Sequence, residues 1–257
     1  MEKKEWYFEY QIRQNRPGLL GDISSLLGML SINIVSINGI ENDRRGMLIR
    51  SASDDHVTRL RDILQTMDAI SLKKFRVPRL RDRLAVMHGR YIERDLGDKK
   101  TYRFVRDELG LLVDFLAELF KEKRHYLVGV RGMPRVGKTE SIVAASVSAN
   151  KHWSFISSTM LRQTIRSTLP DDEFSEDLVY IIDGIVTTMR APEKHRSLVD
   201  EIMALSAVKV VEHPDIFVRE TAYTLKDFDC IIELRNDENE KITYEMVESG
   251  FSSFDIS

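Results

Sequence analysis

Cysteine is almost missing from this chain: Cys230 is the one thiol in 257 residues. That excludes an internal disulfide and a cysteine metal cluster. Cys230 falls in the apolar run FDCIIEL, where a buried core side chain is expected rather than a reactive thiolate. Long apolar runs are missing too. No stretch approaches the roughly 18 residues that a membrane-spanning helix needs, and the opening MEKKEWYFEY lacks the apolar core of a signal peptide. A cytoplasmic protein with no membrane partner is the expectation. There is no internal repeat, no low-complexity tract and no metal-ligand spacing among the six histidines. A net charge of −3 does not mark a dedicated nucleic-acid binder.

What is present is core material: 42% hydrophobic and 31% charged residues, enough for one large domain or two ordinary ones. Trp6, Phe8, Tyr10 and Ile12 alternate with Tyr7, Glu9, Gln11 and Arg13, the pattern of a half-buried strand. NRPG breaks it at Asn15 to Gly18, and Leu19, Ile23, Leu26, Leu27 and Leu30 then recur at helical spacing. INIVSINGI and GMLIRSA read as strands around the hairpin ENDRRG, Val57, Leu60, Ile63, Leu64 and Met67 mark a second helix, and ISLKKFRV closes a βαββαβ order over residues 5–78.

That order, led by NRPGLLGDISSLLGMLSINIVSI, resembles the ACT domain, a small ferredoxin-like regulatory module. The resemblance covers residues 1–78 and implies an amino acid or similar small metabolite bound where copies pair. It implies that Asn15 and Gly18, at the turn, and Asn33 approach that effector. Serine-binding relatives place a histidine two residues before the turn's asparagine; Arg13 stands there in this chain, so serine is not implied. Exposed sheet edges in such modules pair, which makes a homodimer or larger homo-oligomer the expectation.

Residues 79–123 read as a basic helical connector. TYRFVRDELGLLVDFLAELFKEK carries Leu109, Leu112, Phe115, Leu116, Leu119 and Phe120 on one helical face, so one long amphipathic helix is expected. From Lys73 to Arg106, twelve Lys or Arg stand against four Asp or Glu. A nucleic-acid surface is the sharper reading of that excess. A solvated helix side, or a face toward an acidic partner, is the plainer one.

HYLVGVRGMPRVGKTESIVAASVSAN then supplies an apolar strand, a loop of the form G-x-x-x-x-G-K-[ST], and a helix. Gly132, Gly137, Lys138 and Thr139 fall on the defining positions of a P-loop, or Walker A motif. Glycines let the loop aim backbone N–H groups at phosphate oxygens, with the positive end of the following helix behind them. Lys138 would reach the β- and γ-phosphates, Arg135 would cover them, and the Thr139 hydroxyl would coordinate Mg²⁺. A second metal-facing group is needed at the end of a neighbouring strand; DLVYIIDGI offers Asp183, resembling Walker B. Lys138 and Asp183 are thus the candidate catalytic residues, and Thr139 and Asp183 the candidate metal ligands.

Apolar runs near residues 125, 153, 178, 207 and 229 complete a parallel five-stranded sheet, giving an α/β P-loop NTPase domain over residues 124–257. A short strand after the P-loop helix, and then the Asp183 strand, makes the arrangement resemble the kinase and GTPase branch. The guanine-selecting N-K-x-D motif is absent, so ATP is expected ahead of GTP. Gly184 stands where many remodelling ATPases carry a glutamate, so vigorous hydrolysis is not expected. For phosphoryl transfer, Arg135, Arg190 and Arg219 are candidate cations and Glu212 and Asp215 candidate proton acceptors; His213, before Pro214, reads as a turn residue.

Three functions follow: a regulatory protein that binds Mg-ATP (or GTP) under metabolite control, a small-molecule kinase with a regulatory module, or a nucleotide-dependent interaction or nucleic-acid-associated regulator. The whole chain resembles the uncharacterised YmfK-like family of Bacillus and relatives, which implies no established activity.

Overall fold

Alternation along the first strand, β1 (Lys4–Ile12), gives it two faces, and both are covered. In the structure, a computed structural model that describes residues 3–121, 124–159, 164–189 and 191–242, Phe8 and Tyr10 face a core shared with α1 (Leu19–Met29) and α2 (Asp54–Thr66). Tyr7 and Glu9 point the other way, yet each is 0% exposed. The cause is α3 (Leu80–His88), whose Ala85 and Val86 pack on Tyr7, Ile40 and Leu48. So the expected half-buried strand is buried on both faces at its centre, Tyr7 to Tyr10. With β2 (Asn33–Glu41), β3 (Arg44–Ser51) and β4 (Ile70–Arg76) it forms an antiparallel sheet in the order β2-β3-β1-β4, and the element order is the expected βαββαβ.

Contacts divide the chain into two units, Met1–Ile92 and Glu93–Ser257. The expected connector is therefore shared: its part up to Ile92, with α3, belongs to the first unit, and its part from Glu93 to the second. Nor is it one long helix. Thr101–Val105 is strand β6, paired antiparallel with the short β5 (Glu93–Arg94) and parallel with β13 (Cys230–Arg235), before α4 (Leu109–Phe120) begins. Thr101 and Phe104 are buried there, and Tyr102 and Phe104 pack on Phe115 of α4. Aromatic and β-branched residues suit such a strand. The six apolar residues expected on the helical face all lie in α4.

The second unit's main sheet is wider than the five strands expected. Besides β5, β6 and β13 it contains β7 (Tyr126–Gly132), β8 (Trp153–Phe155), β11 (Val179–Asp183) and β12 (Val208–Glu212), in the order β5-β6-β13-β7-β12-β11-β8. All neighbouring pairs except β5 with β6 are parallel. A separate short pair, β9 (Ser157–Ser158) and β10 (Thr164–Ile165), is antiparallel. On one face, α4 packs with α5 (Lys138–Ser148). On the other, α7 (Glu193–Ala204) and α8 (Pro214–Arg219) cover Leu127, Tyr180, Ile182 and Val211. A short α6 (Gly184–Met189) follows β11 directly. Among the described residues no helix is long and apolar enough to cross a membrane. Cys230 is buried, and burial pushes its thiol far above the ordinary range, as suits a core side chain.

Lys209 of β12 is the unusual core residue. It is 0% exposed, and its ammonium reaches His125 Nδ1 at 2.8 Å and the Leu205 carbonyl. Burial lowers its pKa from 10.5 to about 8. The charged form is thus the one the fold disfavours: the cost is fully present below pH 8 and is relieved as pH rises from about 8 toward 10.5, because the unfolded chain still holds the proton there. The shift corresponds to about 3 kcal/mol at most. Urea midpoints of the wild type should rise from about pH 8 until ionisation of the unfolded chain, first at the Cys230 thiol from about pH 9 and then at its tyrosines, offsets and reverses the trend. Lys209→Met should flatten the rise, leaving the share of Lys138, whose burial acts in the same direction; an equal slope in both proteins would show that Lys209 does not contribute to it.

Candidate functional site

Where β7 ends, Gly137 turns the chain into α5 at φ 108°, a backbone conformation that side-chain-bearing residues resist. Between them Arg135 also takes a left-handed conformation, φ 64°, and its carbonyl accepts a hydrogen bond from Arg106. Lys138, only 7% exposed, folds back so that Nζ donates to the carbonyls of Gly132 (2.9 Å) and Met133 (3.0 Å). Burial lowers the Lys138 pKa, against the pull of the Glu212 and Asp183 carboxylates. Met133 packs on Ile185 of α6 and Ile216 of α8, which ties the loop to both helices.

Thr139 donates its hydroxyl to Glu212 Oε1 at 2.6 Å. Glu212 closes β12, which is hydrogen-bonded directly to β7. Burial, with the Asp183 charge acting in the same direction, pushes its carboxyl up to about 7, opposed by Lys138 and the Thr139 hydrogen bond. His213, at φ 56° before Pro214, is 2% exposed, and burial followed by the nearby Lys138 charge lowers it to about 3, so its imidazole is neutral at ordinary pH.

Asp183 differs from its expected placement. β12 stands between β11 and β7, so Asp183 is two strands from the loop rather than on its neighbour. Register places it beside Glu212, on the same sheet face. Its carboxylate is engaged on both oxygens: Oδ1 accepts from the backbone N–H groups of Ile185 and Val186, and Oδ2 from the N–H and hydroxyl of Thr159. The interposed strand also overturns the sequence-based likeness to a sheet with Asp183 next to the loop.

The remaining candidates are dispersed. Asp215 is held by Arg131 through two hydrogen bonds of 2.7 and 2.8 Å, and Arg131 also reaches Glu233. Arg219 lies in α8, and Arg190 lies outside the described residues. In the first unit Gly18, φ 83°, caps α1, Asn15 is exposed in the preceding loop, and Asn33 is exposed at the start of the edge strand β2, opposite Arg50. Part of the basic stretch is engaged internally. Lys74, Arg76, Arg83 and Arg103 pair with carboxylates, and Arg81, Arg94, Lys100 and Arg106 donate to backbone carbonyls. Among the described residues no group of three or more His, Cys, Asp or Glu is placed to hold a metal alone.

Sequence reasoning weighed Glu212 only as a proton acceptor and missed its contact with Thr139. The signal was there: VKVVE, like VYIID, is an apolar run closed by an acid, but strand order decides which acid meets the loop.

Residues 72–255 match the family described as a protein of unknown function, DUF3388. The chain is 67% identical over 263 residues to the uncharacterized protein YmfK of Bacillus subtilis (strain 168), with 100% of this chain and 98% of the relative covered. Among solved structures, the uncharacterized protein TM1266 from Thermotoga maritima aligns with 28% of this chain and 94% of its own, at 16% identity and a TM-score of 0.23, too slight a likeness to carry an argument.

Proposed function

Because the chain belongs to the DUF3388 family, whose description supplies no activity, we propose from its own residues that it is a regulatory nucleotide-binding protein. Mg-ATP, or GTP, binds at Gly132 to Thr139, and an amino acid or similar small metabolite at an ACT-like first unit modulates that binding.

The observation that carries this reading is Lys138. A buried ammonium with two carbonyl acceptors, at the start of an eleven-residue helix and behind a glycine-bounded loop, suits a neighbouring anion. Backbone N–H groups of the loop and the first turn of α5 would hold phosphate oxygens, Lys138 would supply the point charge, and Arg135 would lie over them. Mg²⁺ arriving with the nucleotide would neutralise charge between the β- and γ-phosphates. The Thr139 hydroxyl and the carboxylates of the strand ends fit it chemically, being hard oxygen donors.

For the first unit, the support is the βαββαβ order with its glycine turn at Gly18 and the exposed edge β2, whose Ile34 and Val35 are 42% and 44% exposed. Copies would pair through this unit. A kinase is less well supported, since Asp215 is committed to Arg131, and a nucleic-acid surface is weakened by the internal pairing of the basic residues.

The test is calorimetric titration of Mg-ATP and Mg-GTP into wild type and Lys138→Ala, with and without a mixture of amino acids, and sedimentation of the same samples. Wild type should bind, and the variant should lose roughly a hundredfold, the worth of about 3 kcal/mol in charged hydrogen bonds. Wild type that binds neither nucleotide in any condition ends the nucleotide reading. An affinity unmoved by amino acids ends the regulatory part, because linkage requires the two sites to shift each other.

A further inference from the structure

We propose that Glu212, and not Asp183, is the carboxylate that holds the Mg²⁺ of the bound nucleotide together with Thr139, while Asp183 serves as the cap that shapes the neighbouring strand end. This rests on the nucleotide-binding reading above and deepens it.

The two acids end adjacent strands at the same register level and share a sheet face, so position alone does not separate them. Their hydrogen bonding does. A carboxylate offers about four lone-pair directions. Asp183 spends four on Ile185, Val186 and Thr159, donors that start α6 and fix the chain after β9. Taking a metal ligand there means breaking one of these buried bonds. Among the described residues Glu212 accepts one side-chain hydrogen bond, and its donor is the Thr139 hydroxyl. That is the group a P-loop presents to the metal. β12 is also the strand bonded to β7, so Glu212 and the loop are fixed relative to one another by sheet hydrogen bonds. A hard cation that takes one hydroxyl, one carboxylate, phosphate oxygens and water is within ordinary Mg²⁺ chemistry.

The test uses full-length protein and two readouts: nucleotide affinity by calorimetry in chelator and in Mg²⁺, and Mn²⁺ affinity by electron paramagnetic resonance at saturating nucleotide. Glu212→Gln, nearly isosteric and still able to accept from Thr139, should leave the chelator affinity within about threefold and weaken Mn²⁺ about ten- to a hundredfold. Glu212→Asp, which keeps the charge but withdraws it, should fall between and guards against a folding defect in the first variant. Asp183→Asn should keep Mn²⁺ affinity in whatever fraction remains folded. Unchanged Mn²⁺ affinity in Glu212→Gln, or an equal loss in folded Asp183→Asn, overturns the assignment. Wild-type binding that is indifferent to metal overturns it while leaving the nucleotide site standing; no wild-type binding at all overturns both.

Discussion

Gly184→Ala should destabilise the second unit by about 3 kcal/mol, although alanine is the better helix former. Gly184 opens α6, and there alanine would be worth up to about 1 kcal/mol over glycine. Packing reverses the sign. A β-carbon on Gly184 would sit 2.7 Å from the carbonyl oxygen of His213 and 2.8 Å from that of Glu212, with the Phe217 β-carbon at 3.1 Å. Two of these neighbours are backbone at the end of a central strand, which cannot swing aside as a side-chain tip can. Overpacking of this kind costs about 1–3 kcal/mol and more where backbone must move. The displaced strand end carries Glu212, so the proposed nucleotide binding should weaken with stability. Denaturation followed by Trp153, the second unit's tryptophan, in a Trp6→Phe background reads the effect. A variant as stable as its parent would show that the ends of β11 and β12 are looser than the distances imply. The same contact explains why glycine follows Asp183, where a glutamate would have suggested vigorous hydrolysis.

The elements that periodicity announced are present because their burial follows from it. Leu19, Ile23 and Leu27 recur at helical spacing and become the buried stripe of α1; Leu112, Phe115 and Leu116 do the same for α4. Thr101–Val105 is indistinguishable in sequence from the start of the helix that follows it, because five residues with two aromatics satisfy either period, and only pairing with β13 decides for strand. Strand order was equally out of reach. Whether the acid on the strand beside β7 is Asp183 or Glu212 depends on which of two similar apolar runs crosses back next to it, and each run reads the same alone. The candidate loop depends on no such pairing, since Gly132, Gly137, Lys138 and Thr139 fall within eight residues. Coverage of the second face of β1 was hidden for a different reason. Glu9 marks that face as polar, and its burial depends on partners as distant in sequence as Lys74 and Tyr91.

Those partners set the second large effect. Lys74→Met should destabilise the first unit by about 2 kcal/mol at neutral pH, and the loss should shrink on acidification. Glu9 is 0% exposed. It accepts from Tyr7 at 2.9 Å, Lys74 at 2.8 Å and Tyr91, with Arg44 at 3.5 Å from its other oxygen. Burial pushes the Glu9 carboxyl up, but the hydrogen bonds from Lys74, Tyr91 and Tyr7 outweigh it and hold the group below the ordinary carboxylate range. With a depressed folded pKa, its contribution is present above the unfolded value of 4.5 and is lost as pH falls through the folded one. Removing one partner of a buried pair costs about 3–5 kcal/mol; the Lys74 side chain is 36% exposed and Arg44 remains, which argues for the smaller figure. In the variant, burial should prevail and raise the Glu9 pKa. Protonation then relieves the cost, so wild-type and variant stabilities should converge as pH falls below the carboxylate range. Glu9→Gln added to Lys74→Met should recover part of the loss at neutral pH, because no charge is left buried. Denaturation followed by Trp6 in a Trp153→Phe background, at neutral and acid pH, distinguishes this from lost packing, which would give a gap independent of pH and no rescue. An unrescued, pH-independent loss would mean that the methylenes of Lys74, lying over the Tyr91 ring with the ammonium 4.4 Å from its centroid, hold α3 on the sheet and the ion pair does not.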